Sequence, residues 1–214
     1  MRPLLFAILA FALTAPAAAM ADARRDADAI ISRADAKGLF ANETGEEGPL
    51  LLRHLSSGLQ CLFEGGPGDA LTIGSLQPRG ADVICGTDAP GFVVTFYAMR
   101  YPDHANARDQ EANAVQALRN RFADARNYRP SGAGQPGLTP LVRALPPTVS
   151  DWFTATFQGE QVFTAVFVMQ SGPWTYMMRA TGPLSGGPGA EADVERMWIT
   201  RMAASLKPET LAPT

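Results

Sequence analysis

Apolar and polar positions change period several times along the chain, and each change marks an element. Residues 4–13 are an unbroken apolar run of ten. Residues 22–40 place Ala27, Ile30, Ile31 and Ala34 on one side of a short helix, which Gly38 is expected to end. A polar connector, NETGEEGP, occupies residues 42–49. From Leu50 the period falls to two. Residues 50–55 and 59–63 flank Ser56-Ser57-Gly58 and predict a β-hairpin. The GGPGD turn at 65–69 precedes strands at 70–76, 82–85 and 91–101, the last rich in β-branched and aromatic residues. Pro102-Asp103 then opens a helix over 106–126, with Ala107, Glu111, Ala114, Val115, Leu118 and Phe122 at the spacing of a half-buried face. Residues 127–149 contain five prolines and three glycines and read as a long loop, neither helix nor central strand.

Three further strands are predicted at 150–158, 161–170 and 174–181, joined by Gln158-Gly159-Glu160 and Ser171-Gly172-Pro173. Phe153 and Phe157 share one face of their strand, as do Phe163 and Phe167 of theirs. After a GPLSGGPG connector, residues 190–206 form a closing helix with Val194, Met197, Trp198, Met202 and Leu206 inward. Hairpin-linked strands with interposed helices predict an α+β fold: an antiparallel sheet of about six or seven strands, its apolar face covered by two main helices. The organisation is a leader at 1–21, a helix and connector at 22–49, one domain at 50–206 and a flexible tail at 207–214.

The strand FVVTFYAMRYP running into a helix, then DWFTATF, FTAVFVMQ and WTYMMRATG, and a last helix ending AASLK resemble the PsbP-like superfamily over residues 50–206. The resemblance implies an antiparallel sheet between helices, a PsbP-like sandwich. It also implies an accessory or binding role, since most members lack enzymatic activity.

Arg2 before the apolar run and the small residues Ala17–Ala21 after it have the layout of a cleaved secretory signal. Cleavage fits after Ala19 or Ala21, the second leaving Asp22 first. The run is too short for a membrane span, so no stable membrane insertion is expected after cleavage. Hydrophobic residues at 46% and charged residues at 18% suit a globular domain. The formal charge of −3 gives nucleic-acid binding no support. Lys37 and Lys207 are the only lysines among 18 basic residues, which with abundant Ala, Gly and Pro points to a GC-rich bacterial genome and a periplasmic or secreted destination.

Cys61 and Cys85 lie in apolar segments, and an even count in an oxidising compartment favours a disulfide between them. The alternatives are two buried thiols, or a reactive thiol beside His54. A three-residue turn at 56–58 would set Cys61 opposite Arg53; a two-residue turn at 57–58 would set it opposite His54. No metal is expected, because His54 and His104 have no His or Cys at ligand spacing, and Asp103 with Asp109 reads as a helix start. No catalytic residue or cofactor is assigned. His54 near Ser56 and Ser57 lacks a nucleophile elbow, Glu46-Glu47 reads as solvated surface, and the glycine-rich stretches lack the residues of a phosphate loop. Arg119, Arg121, Arg126, Arg129 and Arg143 against Asp124 form a candidate anion-facing patch, or else favour a helix C-terminus and solubilise the surface. The resulting expectation is an exported, non-enzymatic accessory or binding module of the bacterial envelope, with an unknown envelope protein or anionic ligand as partner. The alternatives are a periplasmic carrier of a small apolar or anionic ligand and, behind it, a histidine-dependent hydrolase.

Overall fold

A computed structural model describes residues 16–46, 48–102, 106–131 and 139–206. Helix α1 (Pro16–Arg33) leads into a small sheet of β1 (Phe40–Asn42), β2 (Leu50–His54) and β3 (Gln60–Phe63). Seven antiparallel strands form the second sheet: β4 (Ala70–Ile73), β5 (Asp82–Ala89), β6 (Phe92–Met99), β7 (Arg126–Asn127), β8 (Thr148–Phe157), β9 (Glu160–Ser171) and β10 (Trp174–Pro183). Their spatial order is β4-β5-β6-β10-β9-β8-β7. Helices α2 (Ala107–Arg121), α3 (Thr139–Ala144) and α4 (Gly187–Ser205) complete the α+β fold. No helix among the described residues is long and apolar enough to cross a membrane.

The large sheet is two meanders meeting at β6 and β10. Connecting central β6 to edge strand β7 carries α2 across one face, where it packs on β8 and β9. The chain leaves β10 on the other side, so α4 lies on the opposite face, beside the small sheet and α1. The two long helices therefore do not share one apolar face, as the pattern suggested, but sandwich the sheet. Residues Val162–Met169 of β9 are buried without interruption. Val162, Val166 and Val168 join Ala114 and Leu118 of α2, whereas Phe163, Phe167 and Met169 join Trp198 and Met202 of α4. Phe153 and Phe157 face the α2 side, so each predicted phenylalanine pair does share a face.

Several boundaries move. α1 ends before Gly38 because Asp35 adopts φ 50° and closes a Schellman motif, with Ala36 N–H donating to Ile31 O at 2.9 Å and Asp35 N–H to Ser32 O at 3.1 Å. The hairpin of β2 and β3 belongs to the small sheet and pairs Leu52 with Cys61 and Arg53 with Gln60. Neither expected register holds, because the loop takes in Leu55 as well as Ser56–Gly58; His54 N–H bonds Leu59 O at 2.9 Å. α2 stops at Arg121, where Phe122 turns inward and caps the helix, and after a turn at 123–125 the chain pairs as β7. Residues 127–149 are not a single loop: Asn127 is in β7, 139–144 form α3, and β8 begins at Thr148. The turn after β8 has two residues, Gln158 and Gly159, at φ 53° and 86°, matching the twist of the strands it joins. Helix α4 starts at Gly187, ahead of its predicted start at 190.

Cys61 of β3 and Cys85 of β5 form a disulfide with Cα atoms 5.7 Å apart, stitching the small sheet to the large one. The segment closed is 24 residues in sequence separation. A loop of that length contributes about 3 kcal/mol in the chain-entropy model. Replacing both cysteines with alanine is expected to lower unfolding stability by about that amount, read as a fall in the urea midpoint; an unchanged midpoint would contradict it.

Candidate functional site

Helix α3 shows how a proline-rich segment can still be helical: Pro140 sits in its first turn, where no intrahelical N–H is needed. The turn ends as Leu145 N–H reaches back to Leu141 O at 3.1 Å, and Pro146-Pro147 carries the chain into β8. α3 packs against α4, and between them opens a groove of about 330 Å³. Leu145, Pro147, Phe167, Trp198 and Ile199 form its walls, with Val142 at the lip and Glu195 as its charged member. Trp198 is held by stacking on Phe167 at 5.8 Å and by donating from Nε1 to Thr148 Oγ1 at 3.2 Å. Trp152 meets Phe167 edge-on at 5.5 Å and stiffens the floor from behind. Leu141 and Val142 are 37% and 49% exposed, leaving an apolar rim in water. Burial, and then the neighbouring Glu191 carboxylate, push the Glu195 carboxyl above its ordinary range.

One turn earlier, Glu191 is only 2% exposed. It accepts hydrogen bonds from Tyr128 Oη and from Ser131, whose N–H lies at 2.8 Å and Oγ at 2.9 Å. A buried carboxylate with several donors is a firm anchor, and this one fastens the segment after β7 to the first turns of α4. The sequence reading missed it, although Glu191 lies on the inward face at helical spacing from Val194 and Trp198.

The two sequence-predicted histidines fare differently. His104 and Asp103 lie outside the described residues, as do Glu47 and the 207–214 tail. His54 is fully buried, with Nδ1 2.8 Å from Ser57 Oγ and accepting the Ser57 N–H at 3.3 Å. Nδ1 is thus the acceptor, and the ring proton sits on Nε2, which has no partner among the described residues. Ser57 Oγ also accepts from Leu59 N–H at 3.1 Å, and Ser57 O from Tyr176 Oη at 2.6 Å. Phe40 and Trp174 close over the imidazole at 5.0 and 5.5 Å. The pair locks a turn and has no open approach for a substrate. Cys61 shares the buried face with His54 but is bonded to Cys85. Among the described residues no group of three His, Cys, Asp or Glu is placed to hold a metal.

The five arginines do not form one patch. Arg119 lies over Phe153 at 5.6 Å and donates to Asn127 Oδ1 at 3.1 Å. Arg121 covers Phe122 and Phe157 at 5.3 and 5.7 Å. Arg126, on β7, lines a small cavity with Asp124. Arg129 is exposed beyond β7, and Arg143 sits on α3 in the opposite layer from α2. Two of the guanidinium groups thus roof aromatic rings of the α2 core.

No family model matches this chain, and no curated protein does. Among solved structures it is similar to a protein of unknown function, PA94 from Pseudomonas aeruginosa, at 13% identity and a TM-score of 0.37, covering 83% of this chain and 100% of that one. It is also similar to immunity protein TplEi of T6SS from Pseudomonas aeruginosa, solved with "L" peptide, at 14% identity and a TM-score of 0.34, covering 82% and 60%.

Two outcomes follow from these buried groups. Desolvation lowers the His54 pKa from 6.5 to about 4. The unfolded chain therefore binds a proton that the folded one refuses, so stability is full above pH 6.5 and drains away towards pH 4. The total is about 3 kcal/mol. Urea midpoints of the parent and a His54→Gln variant at pH 7, 5.5 and 4 should converge as the pH falls; parallel curves would refute this. Glu191→Ala should cost about 2–4 kcal/mol by orphaning its donors. It should also speed hydrogen exchange at the Ser131 amide, whereas unchanged protection there would show that Glu191 is not the anchor.

Proposed function

We propose that this chain is an exported, non-enzymatic binding module of the bacterial envelope that receives an apolar segment of a partner protein in the groove between α3, β8 and α4. The observation that carries this reading is the groove's construction. Its floor of Phe167 and Trp198 is rigidly held, while the Val142 lip stays in water. Rigid aromatic floors with apolar rims are the anchors that dominate binding energy when a partner excludes water from them. Glu195 gives the groove one polarity, favouring a basic residue beside the apolar segment over an anionic ligand.

The signal-like start and the Cys61–Cys85 bond support an oxidising destination, periplasmic or secreted. The resemblance to the PsbP-like superfamily supports an accessory role. A second reading has one observation in its favour: about 330 Å³ is within the size range of small-molecule sites, which suits a carrier of a small apolar ligand.

A photo-crosslinking residue at position 142, in protein produced by its native exporting host, separates the two. The proposal expects one dominant protein adduct, weakened at least tenfold when Ile199 is changed to Glu, with the melting temperature within a few degrees of the parent. Retained small mass in native mass spectrometry without an adduct would replace it with the carrier reading. Neither adduct nor retained mass would remove the groove as the site.

A further inference from the structure

On the face that carries α2, the helix packs on β8 and β9, and β5 and β6 lie beside it. A cavity of about 210 Å³ opens there, on the far side of the sheet from the α3–α4 groove. Asp82 of β5, Tyr97 and Met99 of β6, Tyr101, Gln110 of α2 and Arg179 of β10 line it. Two opposite charges thus face one cavity, yet neither Asp82 nor Arg179 joins any ion pair among the described residues.

The register explains why they stay apart. Asp82 pairs with Met99, which pairs with Thr175, whereas Arg179 pairs with Thr95. Two strand spacings and four residues along β10 separate the two positions, roughly 16 Å between Cα atoms. Both side chains are half-buried, and Asp82 Oδ1 and Arg179 Nε have no hydrogen-bond partner among the described residues. The guanidinium lies over the Tyr97 ring at 5.7 Å, and Tyr101 Oη is turned to Met99 Sδ at 3.1 Å. Burial holds the Asp82 carboxyl above its ordinary range, and burial together with Asp82 raises the Tyr101 phenol. Partly desolvated ions without partners are costly to a fold. A ligand carrying both complementary charges relieves both costs at once.

We infer that this cavity binds a small zwitterion of amino-acid size, its carboxylate on Arg179 and its ammonium group on Asp82. The guanidinium offers a carboxylate two parallel N–H donors, and Tyr101, close enough to Asp82 to feel its charge, lies at the ammonium end. The volume equals that of roughly seven waters, the scale of a single amino acid and too small for a nucleotide. This site is independent of the partner groove.

The test is calorimetric titration of the mature, disulfide-bonded protein with glycine, β-alanine, γ-aminobutyrate, L-leucine and L-methionine, each beside its N-acetyl and amide forms. The series varies the distance between the charges, and the blocked forms delete one charge at a time without altering the protein. At least one zwitterion should saturate with a Kd of about 1 mM or tighter, and blocking either end should weaken it at least tenfold. Asp82→Asn should abolish the penalty for N-acetylation, and Arg179→Gln the penalty for amidation. No saturable binding by any member at about 10 mM, or equal binding of free and blocked forms, would overturn the inference.

Discussion

Burial of β9 on both faces is the constraint from which the remaining architecture follows. Eight successive residues, Val162–Met169, have no side turned to water. A strand of that kind cannot end a two-layer fold; it requires cover above and below. Helix α2 supplies one cover and α4 the other, and each is delivered by the connection that leaves a central strand. The aromatic residues are distributed accordingly. Trp152, Phe163, Phe167 and Trp198 pack against one another on the α4 side, while Phe153, Phe157 and Phe122 gather under α2.

Because α4 covers only part of its face, the small sheet completes that layer, and the joint is secured twice. The disulfide ties β3 to β5 covalently. At the hairpin tip, His54, Ser57 and Tyr176 knit a tight turn to the central strand β10 through hydrogen bonds that contain no exposed atom pair. The approach is close enough that a side chain at Gly58 would strike the Ser205 carbonyl at the end of α4. Three layers of sequence origin therefore meet at one turn: the N-terminal hairpin, the middle of the large sheet and the last helix. The α3–α4 groove and the Asp82–Arg179 cavity are built on elements that this joint and the β9 core hold in place.

Much of this was legible in the sequence. Period-two runs marked β2, β3, β6 and β8, apolar runs between turn residues marked β9 and β10, and three-four spacing marked α2 and α4. Asn106 capping through its side chain to Asp109 N–H, at 3.0 Å, is where the pattern put the helix start. The two-sided core was also written there, in the unalternating run VFTAVFVM, but a run of that kind does not say which helix covers which side. Other features had no local signal. The proline count hid α3 because proline is harmful inside a helix and harmless in its first turn. The arginines cluster in sequence and separate in space because α2 and α3 lie on opposite sides of the sheet. Asp82 and Arg179 are nearly a hundred positions apart, so only the pairing of two meanders brings them to one cavity.

That pairing has a temporal side. The seam between β6 and β10 matches Val93 with Thr181 and Met99 with Thr175, joining parts of the chain made far apart in time. Until β10 arrives, the FVVTFY strand has a bare hydrogen-bonding edge and an apolar flank, the combination that recruits foreign strands. Non-local closure of this kind is slow. The newly made chain thus passes through an interval in which it needs shielding from its own copies, and the length of that interval is set by how late β10 emerges.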